Sequence, residues 1–125
     1  MRRFIPALVL VLLVGCSRTT LNKSSSFEAV KAGNAFYLEA TAAEQTIKVV
    51  ATAEGGPIDV FIYLTKNKAA VEREIMTTKL VNVLADKQNA ESVELQAKIP
   101  AKEEASVLVR SSTLKKTKAS LKITN

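Results

Sequence analysis

VELQAKI, residues 93–99, puts an apolar side chain at every odd position and a polar one at every even position. A repeat of two belongs to the β-strand, whose successive side chains point to opposite faces, and not to the helix, with its period of 3.6. Such a strand has one buried and one wet face. KASLKI, residues 118–123, repeats the pattern, setting Ala119, Leu121 and Ile123 against Lys118, Ser120 and Lys122.

Working outward, residues 105–110 (Val107 and Val109 inward), 36–40 and 47–53 predict further strands, being rich in β-branched and aromatic side chains. Glu54-Gly55-Gly56-Pro57 reads as a turn, because glycine permits positive φ and proline blocks strand continuation, and a hairpin is expected across it. In the strand that follows, Ile58, Val60, Ile62 and Leu64 would face the core and Asp59, Phe61 and Tyr63 the other side. Residues 79–85 predict another strand, closed by a polar turn at Asp86-Lys87-Gln88-Asn89. Residues 67–76 break the rhythm. There Val71 and Ile75 share a helix face, giving a crossover helix of two to three turns with Asn67 as a possible cap.

About seven short strands with regular turn signals predict an all-β protein, an antiparallel β-sandwich with one short crossover helix. A barrel is less favoured, since closed corners often use glycine and the chain has four. At 125 residues there is room for one domain and a tail. Hydrophobic content of 47% against 24% charged residues is that of a folding chain.

The first sixteen residues have the layout of an export signal: Arg2 and Arg3, an apolar block from Phe4 to Val14, then Gly15 before Cys16. The block falls short of the roughly 20 apolar residues that a membrane-spanning helix needs. Leu13-Val14-Gly15-Cys16 resembles the lipobox of bacterial lipoproteins. The resemblance implies a lipoprotein signal peptide over 1–15, cleavage between Gly15 and Cys16, and fatty acyl chains such as palmitate on Cys16. Two or more chains, at about 0.8 kcal/mol per buried methylene, anchor a protein stably. Cys16 is the single cysteine, so disulfides play no part. The alternative is a secretory signal with an incidental cysteine. Taking Arg2 and Arg3 from 18 basic residues leaves 16 against 12 acids, a mature charge of about +4. Residues 17–26, SRTTLNKSSS, read as a flexible tether, so 16–26 would be lipidated cysteine and linker and 27–125 the sandwich.

Ala32-Gly33-Asn34-Ala35 through Gly56-Pro57-Ile58-Asp59-Val60-Phe61-Ile62-Tyr63 distantly resembles the pre-peptidase C-terminal family of bacterial β-sandwich domains, departing from it at the helix-like 67–76 segment. The resemblance implies an accessory or binding module without an active site.

The chain has no histidine, which removes Ser-His-Asp and Cys-His nucleophiles and the commonest metal ligand. Carboxylate pairs for glycoside hydrolysis would be Glu72 with Glu74 and Glu103 with Glu104, but each pair lies beside basic residues with its members diverging. Asp86, Asn89 and Glu91, or Glu54 and Asp59, lack the dense alternating oxygens of a calcium loop. No enzyme activity, metal or cofactor is expected. Lys115, Lys116, Lys118 and Lys122 form a basic patch suited to anionic head groups or envelope polymers, or else to guarding an edge strand from mispairing. Without interleaved aromatics, nucleic acid is not an expected partner. Phe61 and Tyr63 either form an exposed strip able to bind sugars or partners, or lie buried beneath loops or the crossover helix. The expected role is that of a lipid-anchored cell-envelope protein, structural or protein-binding, on an outer-membrane or periplasmic face. The alternative is a carbohydrate or envelope-polymer binding module.

Overall fold

A computed structural model describes residues 20–77 and 79–125. Eight strands follow in chain order: β1 (Asn22–Ala29), β2 (Asn34–Leu38), β3 (Gln45–Glu54), β4 (Ile58–Leu64), β5 (Val83–Ala90), β6 (Ser92–Ile99), β7 (Ala105–Ser111) and β8 (Thr117–Thr124). A short 3₁₀ turn, Thr65–Asn67, and the helix α1, Lys68–Thr77, stand between β4 and β5. The strands form two four-stranded sheets, ordered β1-β8-β3-β6 and β2-β7-β4-β5, with antiparallel neighbours throughout. The molecule is the antiparallel β-sandwich that the alternation predicts.

The alternating strands meet where their apolar faces meet. Ile47 and Val49 of β3, Val93 and Ile99 of β6 and Leu121 and Ile123 of β8 close from one sheet onto Ile58, Val60, Ile62, Val107 and Val109 of the other. Strand β4 is buried on both sides, with α1 packed over Phe61 and Tyr63 on its second face. There Phe61, Tyr63 and Val71 form a second apolar cluster, joined by Ile75, Leu80, Val83 and Leu108. The helix is thus a lid on the β2-β7-β4-β5 sheet, while the outer face of the other sheet stays open to solvent.

Four expectations change. No hairpin joins β3 to β4: the Gly55 turn, with φ of +92°, carries the chain from one sheet to the other. Both sides of β3 are already taken, by β6 and β8, so β4 has no place beside it. Residues 22–26 are not tether. They belong to β1, which pairs with β8 along its whole length from Asn22 opposite Thr124 to Ala29 opposite Thr117. Phe27 turns inward, its ring 5.0 Å from that of Phe36. The fifth strand begins at Val83 and runs through Asp86-Lys87-Gln88-Asn89, which is no turn but a bulge: Ile58 faces Ala90 while Val60 faces Lys87, and Asn89 takes φ of 57°. Residues 79–82 form the link from α1, where Leu80 packs under the helix.

Candidate functional site

Phe61 and Tyr63 do lie opposite Ile62, as their spacing requires, but they form no binding face. Their exposures are 0% and 1%, because α1 lies over them. Burial also pushes the Tyr63 hydroxyl pKa up, helped by the negative charges of Glu72 and Tyr37 and opposed by a hydrogen bond with Ser106.

The same face of β4 carries Asp59, a buried carboxylate in the most apolar strand of the chain. Arg110 stands directly across from it on β7 and donates from Nε to Oδ2 at 2.9 Å. The Ser112 hydroxyl donates to Oδ1 at 2.5 Å, and the backbone N–H of Asn89 donates to the same oxygen at 2.8 Å. The β5 bulge brings the Asn89 N–H to the carboxylate. The Arg110 guanidinium also lies 5.4 Å from the centre of the Phe61 ring. Burial pushes the Asp59 carboxyl up, yet the bonds from Ser112, Asn89 and Arg110, with the arginine's charge, outweigh it and hold the pKa below its ordinary 3.8. A fully satisfied carboxylate of this kind ties three strands and a loop together and offers no free base. Sequence reasoning weighed Asp59 only as a calcium ligand. The signal for its real role was a charge inside an otherwise apolar strand, which burial forces to find a partner.

The basic patch divides. Lys115 and Lys116 sit in the β7–β8 loop, with Lys116 Nζ 3.9 Å from Glu28. Lys118 and Lys122 project from the open face of β8. They guard no edge, since β8 is flanked by β1 and β3; the residues expected to be tether cover it. Across the sheet, Lys118 stands between Glu28 and Glu54, and Lys122 between Ser24 and Val50. Between these two rows runs a row of hydroxyls: Ser26, Ser120, Thr52 and Ser92 on the four strands in turn. Shallow depressions of about 450 and 330 Å³ follow the β1-β8-β3 part of this face. It is an open surface of hydroxyls with lysine beside it, suited to hydrogen bonding with a polar polymer or a protein.

The carboxylate pairs do not converge. Glu74 accepts the N–H groups of Val81 and Asn82, both at 2.8 Å, and a further bond from the Asn82 amide, so it fastens α1 to the start of β5. These bonds hold its pKa below the usual value. Glu103 pairs with Lys66 at 2.8 Å, and the Glu104 carbonyl accepts the Thr65 N–H. Among the described residues, no three acidic or sulfur side chains are grouped as a metal site. Gly15 and Cys16 lie outside the described residues.

Two packed antiparallel sheets, one capped by a helix and one open, define the molecule as a β-sandwich module. Among solved structures it is similar to the pre-peptidase C-terminal domain of a collagenase from Bacillus anthracis. The TM-score is 0.59 at 11% identity, over 82% of this chain and 89% of that one, a likeness of fold. No family model matches the chain, and no curated protein matches it in sequence.

Proposed function

We propose that this chain is a non-catalytic cell-envelope protein, anchored through lipid on Cys16, whose sandwich serves protein interaction or a structural role close to the membrane. What supports the reading is the sequence Leu13-Val14-Gly15-Cys16 at the end of an export-signal layout, and the spacing to the fold says where an anchored domain would sit. The lipobox-like LVGC ends at residue 16 and β1 starts at Asn22. Six residues span at most about 20 Å, so the domain would be held almost against the bilayer. The test is metabolic labelling with an alkyne-bearing palmitate analogue, comparing the chain with its Cys16→Ser variant. Label on the former alone, with the variant lost from the membrane fraction, supports the anchor; unlabelled protein overturns it.

A second reading, recognition of an envelope carbohydrate or other polymer, is favoured by the hydroxyl row Ser26, Ser120, Thr52 and Ser92 with Lys122 beside it. The face concerned is the open sheet and not Phe61 and Tyr63. Retention on envelope polysaccharide that disappears in Ser120→Glu would support it. Equal retention of this variant would remove the face from consideration.

A further inference from the structure

We infer that the corner between α1 and β5 is a membrane-contact surface, in which Met76, Val81 and Leu84 touch the bilayer interface while Lys68 and Lys79 meet anionic head groups. The inference rests on the anchored reading, and extends it from where the chain is tied to how the domain is seated.

The first observation is an asymmetry of exposed apolar side chains. Among the described residues five large ones are exposed: Tyr37, Met76, Val81, Leu84 and Leu114. Met76 at 85%, Val81 at 70% and Leu84 at 41% lie on either side of the link from α1 to β5, whose two ends the Glu74 carboxylate joins by accepting the N–H groups of Val81 and Asn82. Isolated exposed apolar residues are ordinary on protein surfaces, but several held together mark contact sites.

The second observation is where the corner lies. Strand β1 begins at the end of the sandwich where Leu21, Asn22, Leu38 and Asn125 line one cavity. Leu38 faces Ala105, Ala105 faces Leu64, and the neighbouring Tyr63 faces Val83 at the start of β5. The corner and the first residue of the fold therefore share an end of the molecule. Tyr37, beside Leu38, lies towards the same end, and an aromatic ring with a polar tip suits the head-group region. Leu114 alone stands at the opposite end, in the loop before Thr117, which pairs with the last residue of β1.

The third observation is charge. Residues 65–84 carry Lys66, Lys68, Arg73 and Lys79 against Glu72 and Glu74, and the neighbouring Glu103 takes up Lys66, which leaves Lys68 and Lys79 as the lysines of the corner without an ion pair to an acid among the described residues. Basic residues around an apolar tip are drawn to anionic lipid at short range, and salt weakens the attraction.

The chain contains no tryptophan, so one introduced residue reports one place. Lipidated full-length protein carrying Val81→Trp, Met76→Trp or Leu114→Trp is reconstituted into vesicles of phosphatidylcholine and phosphatidylglycerol, with and without brominated acyl chains. The expected result is loss of emission to bromine and a shift to shorter wavelength for Val81→Trp and Met76→Trp. Leu114→Trp should keep its aqueous spectrum. Adding Lys68→Glu and Lys79→Glu should reduce the quenching at position 81. If vesicle-bound protein shows no more quenching at 81 and 76 than at 114, the contact is overturned while the anchor stands. If mass spectrometry finds Cys16 without lipid, the anchored reading fails separately. The same variants added to the same vesicles then decide the corner, with quenching at 81 supporting it and none overturning it.

Discussion

Arg110 and Asp59 face each other across β7 and β4, joined by a 2.9 Å bond from the guanidinium Nε to the carboxylate Oδ2, with Asp59 buried and ringed by other donors and Arg110 partly buried. Neither partner has water enough to be indifferent to losing the other. Arg110→Met keeps the apolar stem and removes the charge, leaving the carboxylate without its main counter-ion. Stability should fall by on the order of 3 kcal/mol. Adding Asp59→Asn, whose carbonyl still accepts the Asn89 N–H, should restore part of the loss. Urea unfolding of the three variants measures both; a double variant as unstable as the two single losses added together would contradict the coupling.

The same pair sets a pH dependence. The folded pKa of Asp59 lies below its ordinary 3.8, so the carboxylate binds its proton less readily folded than unfolded. Its contribution to stability is therefore complete above about pH 5 and is lost as pH falls through 3.8 towards the folded value. The gap between the chain and its Asp59→Asn variant should shrink on acidification. Denaturation midpoints of both, taken between about pH 6 and pH 2, would show this, and a gap that widened would reverse the sign.

Phe61 acts through packing. Phe61→Ala should cost about 3–5 kcal/mol by opening a cavity between β4 and α1. Phe61→Leu, which keeps most of the volume, should cost far less. In an affinity capture from envelope extract, Phe61→Leu should recover the same partners as the unaltered chain. A changed partner list in a fully folded Phe61→Leu protein would return this position to the interaction surface.

Strand β1 makes a proteolytic prediction. A tether would present the bond after Lys23 to trypsin without hindrance, whereas Lys23 is paired with Ile123 along β8. Cleavage there should be slow under native conditions and should accelerate in parallel with unfolding in urea. Rapid native cleavage at Lys23 would return the segment to the linker.

Most of the strands were legible because alternation is a local property. In 93–99 and 118–123 the face of every residue follows from its parity, and the structure buries Val93, Ala97, Ile99, Ala119, Leu121 and Ile123 accordingly. Strand β1 was hard to see because its inward positions include Lys23 and Ser25, leaving only Phe27 and Ala29 as apolar signals. The fifth strand was misplaced because its polar residues line a sheet edge, with the bulge bending around Asp59.

The open face was half visible. Lys118, Ser120 and Lys122 were assigned to the wet side of their strand, but the neighbours that give them meaning come from elsewhere: Ser26 and Glu28 from β1, Thr52 and Glu54 from β3.

The sequence by itself determined that this is a sheet protein with one short helix, and which side of most strands meets oil or water, since both are written in residues one or two apart. Only the tertiary structure decided that β3 and β4 part company, that Arg110 answers Asp59 across 51 positions, and that α1 covers Phe61 and Tyr63. Those are choices among partners. A period of two states that a face must be covered, and it carries no information about which distant segment closes over it, because shape and charge match only once the whole chain is packed.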